Sequence, residues 1–162
     1  DARDCKPKCN MIKKLDNSNE EVANKIFATF QKSYKIEAQI IGAVNFPPLL
    51  RSVKDIRHSN ALFYGFIESE SLAAVIEVVI DKQILHIDSL TVDPDYFRKG
   101  IAKKLLNYAL NEFNFSEAIV ETAVLNSPAI SLYKKYGFIE FKRWTPSHGI
   151  EKLAMAVENI TQ

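Results

Sequence analysis

The chain has 162 residues, 47% of them hydrophobic and 25% charged, which suits one globular domain with a real core. Its formal net charge of +1 predicts neither a general nucleic-acid-binding surface nor a membrane-binding one. Because the N-terminus is polar and no apolar run approaches the roughly 20 residues of a membrane span, we expect no signal peptide, no transmembrane segment and a cytoplasmic location.

Both cysteines, Cys5 and Cys9, lie in the first ten residues. A single pair at this spacing, with no second Cys or His pair beside it, is weak evidence for zinc. We interpret residues 1–10 as a leader or a non-native addition, and we expect the native chain to begin at Met11. Residues 11–162 would then form one domain, and since they contain no cysteine, we expect neither disulfides nor thiol catalysis in it.

The first predicted elements are a short strand and a helix. Met11–Leu15 favours a strand, and Ser18 stands three residues before Glu21, the spacing of a capping box, with apolar residues following at helical intervals. The apolar stretch Ile36–Val44 continues or restarts this helix. Two further segments precede residue 61: a loop with two prolines, Asn45–Pro48, and a short helix capped by Ser52, Val53–Arg57.

From Ala61 the pattern changes to that of strands. Short polar breaks separate three strand-like runs, which predicts an antiparallel meander of Leu62–Glu68, Leu72–Ile80 and Ile84–Val92. Pro94 ends the third strand, since a central strand needs the donor that proline lacks. A helix opening at Arg98–Ala102 and a further strand at Ala118–Leu125 follow, and this order predicts a parallel crossover.

A second helix and two strands close the chain. Ser127 is a natural N-cap with Pro128 at the first helical position, and Gly137 ends the helix in the left-handed conformation. The closing strands are predicted at Phe138–Trp144 and Ile150–Val157. The sequence therefore predicts a mixed α/β domain.

The turn between the third strand and its helix has the outline of a phosphate cradle. The first N–H groups of a helix have no intrahelical partner, the helix dipole favours an anion, and Arg98, Lys99 and Lys103 add positive charge. Gly100 allows a ligand to approach the backbone, because no Cβ stands in the way. The alternative is an ordinary connection with a solvated face, and this segment alone does not separate the two.

Two motifs in the sequence together resemble the acetyl-CoA-binding core of the GNAT N-acetyltransferase superfamily. They are LTVDPDYFRKGIAKKLL and, further along the chain, NSPAISLYKKYGF. The family pattern is Gln or Arg, two residues, Gly, one residue, then Gly or Ala, followed by an Asn…Ala…Leu-Tyr…Gly-Phe helix. Phe97 occupies the Gln/Arg position and Arg98 the next, where Gly is frequent, so the charge is displaced by one residue.

The resemblance implies an α/β fold of the GNAT type: a mixed, mostly antiparallel sheet flanked by helices, with one splayed parallel strand pair at the acetyl-CoA site. The pantetheine arm would lie along the end of the strand Ile84–Val92, and the pyrophosphate would meet the N–H groups of the following helix. The implied cofactor-binding residues are Leu90, Thr91, Val92, Phe97, Arg98, Lys99, Gly100, Ile101, Ala102, Lys103, Asn126, Ala129 and Tyr133. Closing strands pair across dimers in this superfamily, so a homodimer is left open.

Acetyl transfer to an amine needs a base for the ammonium proton and an acid for the departing sulfur, with neither a metal nor a covalent enzyme intermediate. Tyr133 matches the tyrosine of the family helix and is the first candidate for the acid, since a phenol can supply that proton. The alternative is that Tyr133 only packs in the core, which is our interpretation of Tyr136.

For the base, residues of one parity on the third strand are predicted to share a face: His86, Asp88, Leu90 and Val92. By resemblance, other members place a Glu or a His at the position of His86, acting directly or through water, and histidine titrates near neutral pH. The alternative is a strand histidine hydrogen-bonded to a neighbour. Asp88 would orient His86 or bind a cationic acceptor, while Glu77 and Glu121 are reserves, each more often a paired charge than a base.

We expect acceptor specificity to come from residues 34–50, where Tyr34, Glu37, Phe46 and two prolines would wall a pocket and Glu37 would attract an amine. The alternative is a lid packed on the core. The function that the sequence predicts is acetyl-CoA-dependent acetylation of a primary amine of a small molecule or a peptide. A non-catalytic acyl-CoA-binding or regulatory module is the alternative, although such a module would have no reason to retain Tyr133 and Asn126.

Overall fold

The computed structural model describes residues 11–159, and the interpretation of residues 1–10 as a leader lies outside them. Each predicted strand is present, with bounds that differ from the predicted ones by at most two residues. The elements are β1 (Met11–Leu15), α1 (Glu20–Ile41), α2 (Val53–His58), β2 (Leu62–Glu68), β3 (Ser71–Asp81), β4 (Ile84–Val92), α3 (Ile101–Glu112), β5 (Glu117–Ala123), α4 (Ser127–Lys135), β6 (Ile139–Trp144) and β7 (Lys152–Glu158), with short 3-10 turns at Pro47–Leu50 and Pro94–Tyr96.

The strands form one seven-stranded sheet in the order β1-β2-β3-β4-β5-β7-β6. The strands β2, β3 and β4 are the predicted antiparallel meander, and β4 and β5 are the parallel pair within the described sheet. The last strand, β7, pairs antiparallel with both β5 and β6. The predicted fold class is therefore confirmed. No helix within residues 11–159 is both long enough and apolar enough to cross a membrane.

The sheet has a hydrophobic core on each face. One face packs against α3, which buries Leu105, Leu106 and Ala109 completely. The other face packs against α1 and α2, where Phe30 and Ile56 lie in the core. Because α1 lies on one face and α3 and α4 on the other, the carboxyl-end halves of β4 and β5 are reached by helices from both sides.

The helix caps differ in two places from those that the sequence predicted. Asn19 caps α1, because its side-chain oxygen accepts from the Val22 N–H, while Ser18 donates its hydroxyl to Asp16. The predicted capping box at Ser18 is therefore wrong. The helix then continues without a break to Ile41, so the first of the two alternatives for Ile36–Val44 holds up to that residue.

At α4 the cap is Asn126 and not Ser127, since the Asn126 side chain accepts from the Ala129 N–H. Ser127 is the first helical residue, and Pro128 follows it at the second position. Gly137 ends this helix in the left-handed conformation, as predicted, with φ of 86°. Its N–H and that of Phe138 bond back to the last turn of α4, which satisfies two carbonyls there.

A β-bulge at Asp88 changes which residues of β4 share a face. Ile87 and Ser89 lie opposite consecutive residues of β3, so Asp88 is an extra residue without a partner there. His86 therefore shares a face with Ser89, while Leu90 and Val92 lie on the face of Ile87. The prediction that His86, Asp88, Leu90 and Val92 share one face is wrong, because the bulge interrupts the alternation.

The parallel pair β4–β5 separates immediately after this region. Its pairing runs from Ile84 opposite Glu117 to Ile87 opposite Val120 and then stops, although both strands continue. Beyond Ile87 the two strands are splayed, as the family resemblance implied. The splay opens a space between the ends of β4 and β5.

Candidate active site

A groove of about 690 Å³ runs from the start of α3 to the splayed strands, between α1 and α4. Gly100 caps α3 with φ of 70°, and a Cβ added there would meet no atom within 4 Å, so the backbone faces open space. The first bond of the helix runs from the Lys104 N–H to the Gly100 carbonyl. By helix geometry, the three N–H groups before Lys104 have no intrahelical partner and are available to a ligand.

Three basic side chains line this groove: Arg98, Lys103 and Lys135. None of them pairs with a carboxylate among the described residues. Arg98 has a φ of 64°, in the left-handed region that glycine adopts without strain, which explains why the family pattern often has glycine there. Arg98 thus places a positive charge on the groove one position after Phe97.

Most of the predicted cofactor-binding residues line the groove: Leu90, Val92, Phe97, Arg98, Gly100, Ile101, Ala102, Lys103, Asn126, Ala129 and Tyr133. Two do not. Thr91 is 2% exposed and its hydroxyl donates to the Val75 carbonyl. The Lys99 ammonium lies 3.4 Å from a carboxylate oxygen of Glu68. Their side chains are therefore engaged elsewhere.

A second cavity, the cleft, has a volume of about 430 Å³ and lies between the splayed ends of β4 and β5. Its walls come from α1, the first 3-10 turn, β4, β5, α4 and the chain between β6 and β7. Five residues line both the groove and the cleft, and they mark where the two meet: Glu37, Leu90, Asn126, Ala129 and Tyr133.

Tyr133 is buried at this junction, with its ring centroid 5.5 Å from that of Phe138. Its side chain lines both cavities. Burial, and secondly the charge of Glu37, raise the pKa of the Tyr133 phenol. The side chain is thus both part of the core and a protonated donor at the junction, so the two alternatives for it are not exclusive.

The structure separates the two predicted residues of β4. His86 lies in the paired part of β4–β5, opposite Ile119, and does not line the cleft. Asp88, the bulge residue, does line it and is exposed. Partial desolvation of the carboxyl inside the cleft, and secondly the charge of Glu77, raise the pKa of Asp88, while His86 and Arg51 oppose the rise.

The two reserve carboxylates are paired charges. Glu77 is 3% exposed and accepts two hydrogen bonds from Arg51, at 2.6 and 2.8 Å, and one from the Ser89 hydroxyl at 3.1 Å. The Arg51 guanidinium also lies 5.7 Å from the ring centroids of Phe30 and Phe63. Glu121 lines the cleft and pairs with Lys152 at 3.2 Å.

The predicted acceptor wall lines the cleft: Tyr34, Glu37, Phe46, Pro47 and Pro48. Phe46 is also buried against Ala38 and Ile41, so the segment is at once a wall and a lid packed on the core. Sequence reasoning missed four further residues that line the cleft: Arg51, His148, Ile150 and Lys152. Arg51 directly follows the predicted segment and binds Glu77 of β3, whereas the other three come near β4 only through the sheet order.

Asn126 joins the two halves of the junction. Its side-chain oxygen caps α4, and its side-chain nitrogen donates to Oε1 of Glu37 on α1 at 2.9 Å. The contact spans 89 positions of the chain. Pairing of this kind fixes the orientation of both side chains where the groove opens into the cleft.

Comparisons with known proteins identified a matching family model, sequence relatives and similar solved structures. A family model described as an acetyltransferase (GNAT) domain matches residues 49–159. The chain is 38% identical over 129 residues to UPF0157 protein YqkA of Bacillus subtilis (strain 168), which covers 79% of this chain and 38% of that protein. It is 41% identical over 61 residues to an N-alpha-acetyltransferase of Saccharolobus solfataricus, which covers 35% of this chain and 36% of that protein.

The chain therefore spans less than two fifths of the length of these two relatives. Among solved structures, it resembles the PaiA N-acetyltransferase from Thermoplasma acidophilum in complex with coenzyme A, with a TM-score of 0.75 and 20% identity. That likeness covers 93% of this chain and 99% of the other, and at this identity it shows a shared fold.

Proposed function

This chain belongs to the GNAT acetyltransferase family, and from that premise we propose that it is an acetyl-CoA-dependent N-acetyltransferase acting on a primary amine of a small molecule or a peptide. One observation carries the proposal: a basic groove that begins at a free helix N-terminus meets an acidic cleft at the Tyr133 side chain. The groove suits the anionic acyl donor and the cleft suits the cationic acceptor.

The groove fits acetyl-CoA on the chemistry of its lining. Unpaired N–H groups at the start of α3, with Arg98, Lys103 and Lys135 nearby, would hold phosphate groups. The main chain of β4 beyond Ile87 has no partner in β5, so its polar groups there are free to bond the pantetheine arm. When bound, acetyl-CoA supplies an activated thioester.

The cleft is suited to a positively charged acceptor. Three carboxylates line it, from Glu37, Asp88 and Glu121, and only Glu121 has a lysine partner among the described residues. Arg51 is bound to Glu77 and therefore adds little net positive charge. An ammonium ion entering the cleft gains electrostatic stabilisation there.

Tyr133 would act on the departing sulfur. Because its pKa is raised by burial, the phenol is protonated at neutral pH and is a hydrogen-bond donor at the junction. Donation to the sulfur stabilises the charge that develops as the C–S bond breaks. Tyr133 is our candidate for the acid, and Asp88 would bind the acceptor ammonium.

The similarity to an N-alpha-acetyltransferase supports including peptide N-termini among the candidate acceptors. The family model begins at residue 49, so it leaves out the segment that contributes Tyr34, Glu37 and Phe46 to the cleft. The acceptor therefore has to be found by experiment, and the donor half of the site gives no guide to it.

The experiment is a thiol-release assay with acetyl-CoA against amines, polyamines, amino acids and peptides, run beside calorimetric titration of CoA. We expect CoA to bind and at least one amine to give acetyl-CoA-dependent thiol release with the acetylated product identified by mass. Binding of CoA without turnover of any amine would favour the non-catalytic acyl-CoA-binding module. Absence of CoA binding would overturn the proposal altogether.

A further inference from the structure

Glu37 has a position that no other carboxylate of the described chain shares. Three carboxylates line the cleft, those of Glu37, Asp88 and Glu121, and of these Glu37 alone also lines the groove. It lies on α1 and therefore reaches the junction from the side opposite α4 and Tyr133. A carboxylate here borders both the cleft proposed for the acceptor and the groove proposed for the acyl donor.

The Glu37 side chain is held by one hydrogen bond and keeps one oxygen free. The Asn126 amide donates to Oε1, whereas Oε2 accepts no hydrogen bond from any described residue. Asn126 is itself fixed, because its oxygen caps α4. The carboxyl group is therefore positioned by a neutral donor, and its second oxygen is available for a proton.

We propose that Glu37 is the proton acceptor for the incoming amine, an inference that rests on the proposed function. Asp88 and Glu121 line the cleft but not the groove, and Glu121 is paired with Lys152. Glu77 is bound to Arg51 through both oxygens. Among the carboxylates of the described residues, Glu37 is therefore the one that lies at the junction, and its Oε2 accepts no hydrogen bond from another described residue.

The proton balance assigns each proton a destination. An ammonium ion and a thioester become an amide and a thiol, and one proton is released overall. The first proton on nitrogen passes to Oε2 of Glu37 before the N–C bond forms, and Glu37 later releases it to solvent. The C–S bond breaks with its electron pair on sulfur, which takes the phenol proton of Tyr133, and the second proton on nitrogen, released as the amide forms, restores that phenol.

The electrostatics of the junction agree with this role. Burial raises the pKa of the Glu37 carboxyl, while the hydrogen bond from Asn126 and the charge of Lys152 on β7 oppose the rise. Tyr133 shares the junction with Glu37. The other titratable groups around it line the cleft (Tyr34, Arg51, Asp88, Glu121, His148 and Lys152) or the groove (Tyr96, Arg98, Lys103 and Lys135). The raised pKa of the carboxyl lies closer to the pKa of the amine, and this favours proton transfer from the amine to Glu37.

The first test is Glu37→Gln, which keeps an oxygen for the Asn126 N–H but cannot accept a proton. With the amine found in the screen, we expect kcat to fall about 10²–10⁴-fold and the dissociation constant of CoA to stay unchanged. The acidic limb of the pH profile of kcat should also be lost. Glu21→Gln is the matched control, since Glu21 lies on the same helix with its side chain 82% exposed, and it should behave as wild type.

The second test separates a base from a merely structural residue. A fluorinated analogue of the same amine has a lower pKa and arrives already neutral, so its first proton needs no acceptor. With this analogue, we expect the kcat of Glu37→Gln to fall less than about tenfold. With the parent amine, kcat should fall by the factor of about 10²–10⁴ expected in the first test.

The outcomes distinguish this inference from the proposed function. If wild type acetylates an amine and Glu37→Gln retains its rate and pH profile, Glu37 is not the proton acceptor. If the kcat of Glu37→Gln falls by the same factor with the parent amine and with the fluorinated analogue, Glu37 is a positioning residue. That result would also overturn the inference. If wild type acetylates nothing, the proposed function itself fails.

Discussion

Tyr133 and Glu37 both line the groove and the cleft, and they lie on helices that pack on opposite faces of the sheet. Each is shaped by the same environment, since burial raises the pKa of both. Because its pKa is raised, the phenol of Tyr133 keeps its proton and remains a hydrogen-bond donor. The raised pKa of the Glu37 carboxyl means a higher affinity for a proton. A single partly buried space thus favours a donor on one side and an acceptor on the other.

Replacing Tyr133 with Phe tests the donor role. We expect kcat to fall about 10²-fold, since one hydrogen-bond donor to the developing charge is removed, with little change in CoA affinity. Tyr108→Phe is the control, because Tyr108 packs against Tyr64 on the far side of α3. Steady-state kinetics and calorimetry measure the two quantities. Unchanged turnover in Tyr133→Phe would leave the tyrosine with a packing role alone.

Glu37 also predicts a pH dependence of stability. Because its pKa is raised in the folded protein, the favourable contribution of the protonated form is lost as pH rises from the ordinary carboxyl range through the folded pKa. Glu37→Gln should therefore have a higher Tm than wild type at pH 7 and the same Tm below about pH 4. Thermal denaturation between these pH values measures the difference. A Tm at pH 7 lower than that of wild type would contradict the assigned direction.

Among the elements, the first 3-10 turn is tied to β3 by a buried ion pair. Arg51 follows that turn and binds Glu77 through both oxygens, with the Glu77 side chain 4% exposed. Arg51→Met should reduce the free energy of unfolding by about 3–5 kcal/mol, because it leaves a buried carboxylate without its partner. Denaturant titration measures the loss.

The double variant Arg51→Met/Glu77→Gln is the internal control for this pair. Without the buried negative charge, the loss should be smaller than in Arg51→Met alone, so the two substitutions are not additive. A loss in Arg51→Met below about 1 kcal/mol, the value typical of an exposed pair, would mean that the bridge does not fix the turn.

At the start of α3, Gly100→Val should abolish CoA binding and leave the fold intact. The added side chain would occupy open space in the groove, where a Cβ meets no protein atom within 4 Å. Gly42→Val is the matched control, with φ of 68° against 70° and equally open surroundings at the end of α1, outside the groove. Both variants carry the same backbone strain, so calorimetry of CoA isolates the steric effect. Equal affinities in the two variants would contradict the cradle.

The elements were predicted well wherever their signals are local. Strand runs, the proline boundaries and Gly137 each depend on a few neighbouring residues. The hairpin turns were harder, because Ser69-Glu70 and Lys82-Gln83 adopt positive φ without any glycine. The bulge at Asp88 shows in the sequence only as a change of phase, because apolar residues at 85 and 87 are followed by apolar residues at 90 and 92, with Asp88 and Ser89 between them; the pairing with β3 identifies it as a bulge.

For the whole molecule, the lining of the groove and one part of the cleft were predictable from the sequence, and the rest of the cleft was not. The groove is built from two linked motifs, so their residues were found together. The cleft brings residue 34 beside residue 152, through a sheet order in which β7 lies between β5 and β6. The expected role of His86 rested on alternation along β4, and the bulge and the splay place it outside the cleft.

The family model likewise includes the groove motifs and leaves out part of the cleft. The family model covers residues 49–159, which contain the groove motifs, while Glu37 and the first wall of the cleft precede it. When the donor site is common to a family and the acceptor site is built from a separate segment, members of that family can act on different acceptors. Specificity in this protein would then be set by α1 and the 3-10 turn that follows it.

The most direct measurement of the central claim is an amide NMR titration of the protein with CoA. If unpaired N–H groups at the start of α3 hold the diphosphate, the largest shifts should occur at the amides of Ile101, Ala102 and Lys103, with smaller ones along β4 from Leu90 to Val92. They should saturate together, at the dissociation constant that calorimetry gives. Shifts confined to other surfaces, with these three amides unmoved at saturating CoA, would contradict the account.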